Sequence, residues 1–131
     1  MQNHKITLIG TFAEVKTQIY DPALDPDGAI DHTAAWSYGP TLNKPRYYAP
    51  AVLLGDDIYV FGGTWSSTTA EVLGPGSSAW IYTANLDQGR TDAVAAVSNN
   101  KAYLIGGYTA TWAADVDQFD PTYIMYTFKK N

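Results

Sequence analysis

The phrase DDIYVFGG at Asp56–Gly63 returns as NKAYLIGG at Asn100–Gly107, and this internal repetition constrains the fold more than any other feature of the sequence. The copies lie 44 residues apart, with Tyr59 over Tyr103 and Gly62, Gly63 over Gly106, Gly107. The same shift carries Trp36 onto Trp80, Tyr38 onto Tyr82, Leu42 onto Leu86, Arg46 onto Arg90, Ala49 onto Ala93, Ala51 onto Ala95, Ala70 onto Ala114 and Val72 onto Val116. Tyr126 stands one further period after Tyr82, and KITLIGT at Lys5–Thr11 matches the strand phrase with Thr11 in place of its second glycine. A register kept by Trp, Arg and paired Gly is not a product of composition. The chain therefore reads as two full repeats bracketed by partial ones. A unit of this length cannot bury its faces alone and must stack on its neighbours.

Within each period the apolar residues come in short runs between turn signals, with no helical i, i+3, i+4 stripe. Ala49–Leu54 and Ile58–Phe61 flank Gly55, Asp56 and Asp57, a hairpin composition, and Ala93–Val97 and Ala102–Ile105 flank Ser98, Asn99 and Asn100. After each glycine pair come a Ser/Thr/Ala-rich segment with a Trp, a strand around Val72 or Val116, a Pro-containing turn, and a strand around Tyr82 or Tyr126. Each period thus holds four short antiparallel strands, which is the unit of a propeller blade.

The order of Arg, a strand, Tyr-x-x-Gly-Gly, a Tyr-Asp-Pro-like turn and Trp resembles the kelch repeat. It runs here as Arg46, Tyr59, Gly62, Gly63, Leu73-Gly74-Pro75 and Trp80, then as Arg90, Tyr103, Gly106, Gly107 and Phe119-Asp120-Pro121, with Ile124 where Trp is expected. The first copy shows Ile19-Tyr20-Asp21-Pro22 and Trp36, separated by an Asp-rich insertion. The resemblance implies an all-β, kelch-like β-propeller domain over 1–131, with a partial blade at 1–42 and blades at 43–86 and 87–131. Kelch relatives close rings of about six or seven blades, and three blades cannot meet end to end. The chain is expected either to be a fragment of a longer propeller or to complete a six-bladed ring by homodimerisation. The second is preferred, because an isolated arc leaves two apolar faces uncovered and Lys129, Lys130 and Asn131 make a polar end. The first blade has no innermost strand in this frame.

A net charge of −5 argues against nonspecific binding to nucleic acid or an anionic membrane. No apolar run reaches the length of a membrane span, and no basic start followed by a long apolar run marks a secretory signal, so the compartment is left open. With no cysteine, disulfides, thiolate metal ligands and cysteine nucleophiles are excluded. Neither a nucleophile elbow nor a phosphate loop is present, and no cofactor is expected. The insertion DPALDPDGAIDH gathers Asp21, Asp25, Asp27 and Asp31 around a glycine turn; alternate oxygens suit calcium, but the closing Glu of an EF-hand is missing, and a solvated acidic loop is the preferred reading.

The resemblance further implies that ligand loops lie at Asn43–Tyr48, Asp87–Asp92, Thr64–Thr69 and Tyr108–Ala113. The candidate residues are Arg46, Tyr47, Tyr48, Trp65, Arg90, Asp92, Tyr108 and Trp112. Aromatic faces and guanidinium groups together can hold a sugar, a carboxylate or an acidic peptide. In the structural alternative, the arginines brace neighbouring loops and the tryptophans cap the blades. The expected function is a noncatalytic binding or assembly module for a protein or small ligand. Two alternatives stand beside it: a sugar-binding or carbohydrate-active propeller similar to sialic acid mutarotases, with Arg46 or Arg90 on a carboxylate, and a fragment without independent function. The copper oxidases of this kind are disfavoured, because their Cys–Tyr cofactor needs a cysteine.

Overall fold

Runs of four or five β-formers separated by Gly, Asn and Asp turns leave each strand its sequence neighbour as the nearest pairing partner. The chain accordingly folds as three successive meanders. The computed structural model describes residues 5–10, 14–25, 31–65, 67–121 and 126–128. The first sheet holds β1 (Ile6–Leu8), β2 (Gln18–Tyr20) and β3 (Trp36–Tyr38). The second holds β4 (Ala51–Leu54), β5 (Asp57–Phe61), β6 (Ala70–Leu73) and β7 (Ile81–Tyr82). The third holds β8 (Val94–Ser98), β9 (Lys101–Ile105), β10 (Val116–Phe119) and β11 (Tyr126–Phe128). Every pairing is antiparallel. Among the described residues helical structure is confined to 3-10 turns at Pro22–Leu24 and Thr33–Ala35. Asn99 and Asn100 both take left-handed φ, 49° and 56°, which lets a two-residue turn join β8 to β9 without splaying them.

The all-β expectation holds, with four strands in the second and third sheets and three in the first among the described residues. The ladders also fix which residues correspond. Val60 pairs with Glu71, Leu104 with Asp117 and Leu8 with Gln18, so β1, β5 and β9 are equivalent. Beyond the second glycine pair the 44-residue shift fails. Phe61 pairs with Ala70 but Ile105 with Val116, so Val116 takes the place of Ala70, and Gln118 rather than Val116 takes that of Val72. Thr127, not Tyr126, occupies the place of Tyr82. The cause is the connection from β9 to β10, which is longer than its β5–β6 counterpart.

Strand alternation sends Ile58 and Val60 toward the first sheet, where with Leu73 and Trp80 they meet Ile9, Val15 and Leu42. Tyr59 and Phe61 point the other way and join Leu54, Leu86, Ala102, Leu104 and Phe119. The rings of Tyr59 and Phe61 lie 5.1 and 5.2 Å from that of Phe119, within the range of favourable aromatic contact. Trp80 is buried between the first and second sheets and donates its indole N–H to the Pro40 carbonyl at 3.0 Å.

Both arginines of the chain are fully buried, one in each four-stranded sheet. Arg46 donates Nε to Glu71 Oε1 at 2.9 Å, Nη1 to the carbonyls of Gly62 at 2.7 Å and Thr69 at 2.8 Å, and Nη2 to Thr69 Oγ1 at 2.8 Å. Glu71 Oε2 accepts from both the backbone and side-chain N–H of Asn43 at 2.8 Å. Arg90 donates Nη1 to the Gly106 carbonyl at 2.8 Å, and its Nη2 lies 2.8 Å from Asp117 Oδ2. A guanidinium held this way ties the loop that enters a sheet to that sheet's third strand and to the glycine ending its second. The backbone of the same arginine also seats the sheet before it. A Cβ on Gly62, whose φ is +58°, would lie 2.3 Å from the Arg90 carbonyl, and one on Gly10 would lie 2.0 Å from the Arg46 carbonyl. At the equivalent Gly106 the nearest atom to such a Cβ is the Ala113 carbonyl at 3.5 Å.

Two outcomes follow for equilibrium unfolding in urea. Glu71→Ala strands the Arg46 charge in the interior and lowers stability by about 3–5 kcal/mol, whereas Arg46→Met combined with Glu71→Leu costs much less than the single change. Gly62→Ala shifts the midpoint down further than Gly106→Ala, whose cost is confined to the left-handed backbone at roughly 1–2 kcal/mol; equal shifts would mean that the arginine carbonyl yields freely.

Candidate functional site

Antiparallel pairing places the connections β3–β4, β5–β6, β7–β8 and β9–β10 at one end of the sheets. Tyr47 and Tyr48 come from the first of these, Trp65 from the second, Thr91 and Asp92 from the third and Tyr108 from the fourth. Together these six residues line a groove of about 380 Å³ at the junction of the second and third sheets. That volume falls in the range of small-molecule sites, which run from roughly 300 to 1,000 Å³.

The backbone holds the groove open. Tyr48 and Asp92, which correspond in the repeat, take left-handed φ of 54° and 57°, and Trp65 takes 56°. A non-glycine residue in that region costs roughly 1–2 kcal/mol, so the surrounding bonds must enforce it. They are mostly backbone bonds: Asp92 N–H to the Tyr48 carbonyl at 3.0 Å, Thr64 N–H to the Tyr47 carbonyl at 3.0 Å, and Tyr108 N–H to the Thr91 carbonyl at 2.8 Å. Thr64 Oγ1 adds a clasp, accepting from the Tyr47 N–H at 3.1 Å and donating to the Pro45 carbonyl at 2.9 Å. The bends turn Tyr48 and Trp65 out into solvent. Tyr47 meets Tyr48 edge-on at 5.3 Å and Trp65 at 6.4 Å, and Tyr108 meets the exposed Trp112 edge-on at 5.6 Å.

Of the eight residues singled out from the sequence, five line the groove: Tyr47, Tyr48, Trp65, Asp92 and Tyr108. Trp112 stands behind Tyr108 and is not part of the lining. Arg46 and Arg90 do not reach it. Their side chains have no exposed surface, and the bonds and ion pairs they make are to internal acceptors, so they act as braces rather than as groups offered to a ligand. Thr91 was missed, although the repeat shift that puts Tyr47 in the groove also points to it. Among the described residues the lining is aromatic, with Asp92 as its single carboxylate and no Lys or Arg.

The described aspartates of the insertion do not converge on one point. Asp21 pairs with Lys5 at 3.1 Å and accepts from the Ala23 N–H at 3.0 Å, Asp25 binds the Tyr20 hydroxyl and the His32 ring, and Asp31 accepts from the Thr33 N–H at 2.9 Å. Asp27 lies outside the described residues. Among the described residues no three acidic or histidine side chains form a metal cluster. Asp21, Asp25 and Asp31 are each engaged by local bonds.

No family model and no curated protein sequence matches the chain. Solved structures do match, and one of them is the structure of YjhT, at a TM-score of 0.77 and 17% identity, over 100% of this chain and 49% of that one. The chain thus has the fold of about half of YjhT.

The Tyr20 hydroxyl and then the His32 ring hold the Asp25 carboxyl below its ordinary value of 3.8. A carboxylate depressed in the folded state adds stability that is complete above the unfolded value and lost as the pH falls through the folded one. The urea midpoint should therefore decline below about pH 3.8 more steeply in the native chain than in Asp25→Asn. Parallel pH profiles for the two would show that these bonds contribute nothing to folding.

Proposed function

We propose that the chain is a kelch-like propeller arc, half of a ring of about six blades, working as a noncatalytic binding module whose aromatic groove takes a neutral or cationic ligand. The observation that carries the reading is the groove itself, where Tyr47, Tyr48, Trp65 and Tyr108 from four separate loops surround Asp92 with no cation among them. Aromatic faces attract cations through their quadrupoles, and a nearby carboxylate adds to that attraction. A peptide segment bearing Lys or Arg fits this chemistry, whereas an acidic ligand meets a net charge of −5 and no free guanidinium. What supports a half-ring is that three sheets match just under half of the YjhT chain, leaving length there for about three more. The kelch assignment rests on the repeat pattern, on the buried arginine beside each glycine pair and on this likeness of fold.

Thr91 and Asp92 beside exposed ring faces also suit a neutral saccharide, and this favours a sugar-binding module as the second reading. A catalytic version needs an acid and a base within reach of one substrate atom, and among the described residues the groove lining offers a single carboxylate.

Titration of the indole fluorescence with a lysine- and arginine-containing peptide should give saturable binding. Trp65→Ala or Tyr48→Ala should weaken it at least tenfold, about 1.4 kcal/mol, with the unfolding midpoint unchanged. Saturable binding of neutral oligosaccharides but not of the cationic peptide would transfer the groove to the sugar reading. Turnover of a bound ligand that Asp92→Asn abolishes would overturn the noncatalytic one.

A further inference from the structure

The two internal junctions bring the same positions of neighbouring sheets together, and the outermost sheets repeat those positions uncovered. By the ladder registers Leu8 corresponds to Val60 and Leu104, Ile6 to Ile58 and Ala102, and Tyr20 to Leu73 and Phe119. Trp36 corresponds to Trp80, since Tyr38 opposite Gln18 matches Tyr82 opposite Glu71. In the second sheet these side chains lie against the first, and Val60 is 0% exposed and Trp80 3%. In the first sheet Leu8 is 48% exposed, Trp36 46% and Ile6 60%. The far side of the arc shows the converse. Phe61 is 0% exposed under the third sheet, while its counterpart Ile105 is 46% exposed beside Tyr103.

We infer that a second copy of this chain covers these faces head to tail, with Ile6, Leu8, Tyr20 and Trp36 of one copy on Tyr103 and Ile105 of the other. The contact continues one the molecule already makes twice, as the second sheet sits on the first and the third on the second, so both surfaces already have the register of a working junction. This rests on the propeller-arc reading, because head-to-tail contact closes after two copies only if the arc is half of a ring. Large contiguous apolar faces are otherwise rare on isolated chains.

The new junction differs from the internal ones in one respect. The first sheet has no counterpart of β4 among the described residues. No arginine enters there, and the place held by Glu71 and Asp117 in the other sheets is held by the neutral Gln18. A carboxylate at that point would be buried by the second copy without a cation to pair it, at a cost of several kcal/mol. Gln18 removes that cost.

Light scattering on a size-exclusion column, over a range of loading concentrations, tests the inference. The expected species has twice the chain mass of 14.3 kDa. Leu8→Lys and Ile105→Glu, both at exposed positions, should each yield folded monomers by circular dichroism. An equimolar mixture of the two should regain the doubled mass, because one junction is then native and the other sets Lys against Glu. A native chain that stays monomeric at the highest soluble concentration overturns the inference, and so does a dimer indifferent to Ile105→Glu, which would join through two copies of the first sheet. A larger species dissolved by both substitutions upholds the head-to-tail contact while rejecting the half-ring. Trp65→Ala leaves the mass unchanged, so groove binding and assembly are scored separately.

Discussion

A buried guanidinium organises each complete sheet. Arg46 spans from the loop that enters the second sheet to Glu71 on its third strand and to the carbonyl of Gly62 at the end of its second, and Arg90 repeats the device around Asp117 and Gly106. A charge removed from water is tolerated only with its partners in place, so the loop, the strand and the glycine turn must assemble together or not at all. The backbone of the same loop then lies on the glycine of the previous sheet, where any side chain would collide. One residue type thus closes a sheet and sets its distance from the neighbour. The aromatic groove depends on that spacing, because its lining comes from loops on both sides of the junction.

The sheets, their antiparallel order and the paired-glycine ends were legible because they depend on local pattern: alternating apolar runs, turn residues and a repeated phrase. What a period cannot report is a change of loop length inside it. The extra residues between β9 and β10 moved Val116 into the place of Ala70, and only the hydrogen-bonded register revealed it. The site was legible in the same uneven way. Loop position brought Tyr47, Tyr48, Trp65, Asp92 and Tyr108 to one end of the sheets, where they line one groove, since the end at which a loop emerges follows from strand order. The direction of Arg46 was not legible. Its carboxylate partner stands 25 residues downstream, on a strand whose inward face is known only once the sheets are stacked.

The first sheet shows how the same framework accommodates a missing part. Among the described residues it has neither the strand nor the arginine that its neighbours carry, and at the place of their carboxylates it has an amide. Its described polar groups find partners close at hand: Thr17 is buried and donates to the Pro40 carbonyl at 2.8 Å, Asp21 pairs with Lys5, and Asp25 binds Tyr20 and His32. The sheet is therefore chemically consistent without the charge network that the others need.

The bends at Tyr48 and Asp92 are enforced mainly by bonds between backbone groups, and a tyrosine and an aspartate occupy the same bend in successive repeats. Neither side chain is needed to hold its own backbone there, so both are released from structural duty. The groove is in effect a pair of sockets with interchangeable occupants, and its chemistry can drift from apolar to charged, one residue at a time, while the sheets beneath keep their register.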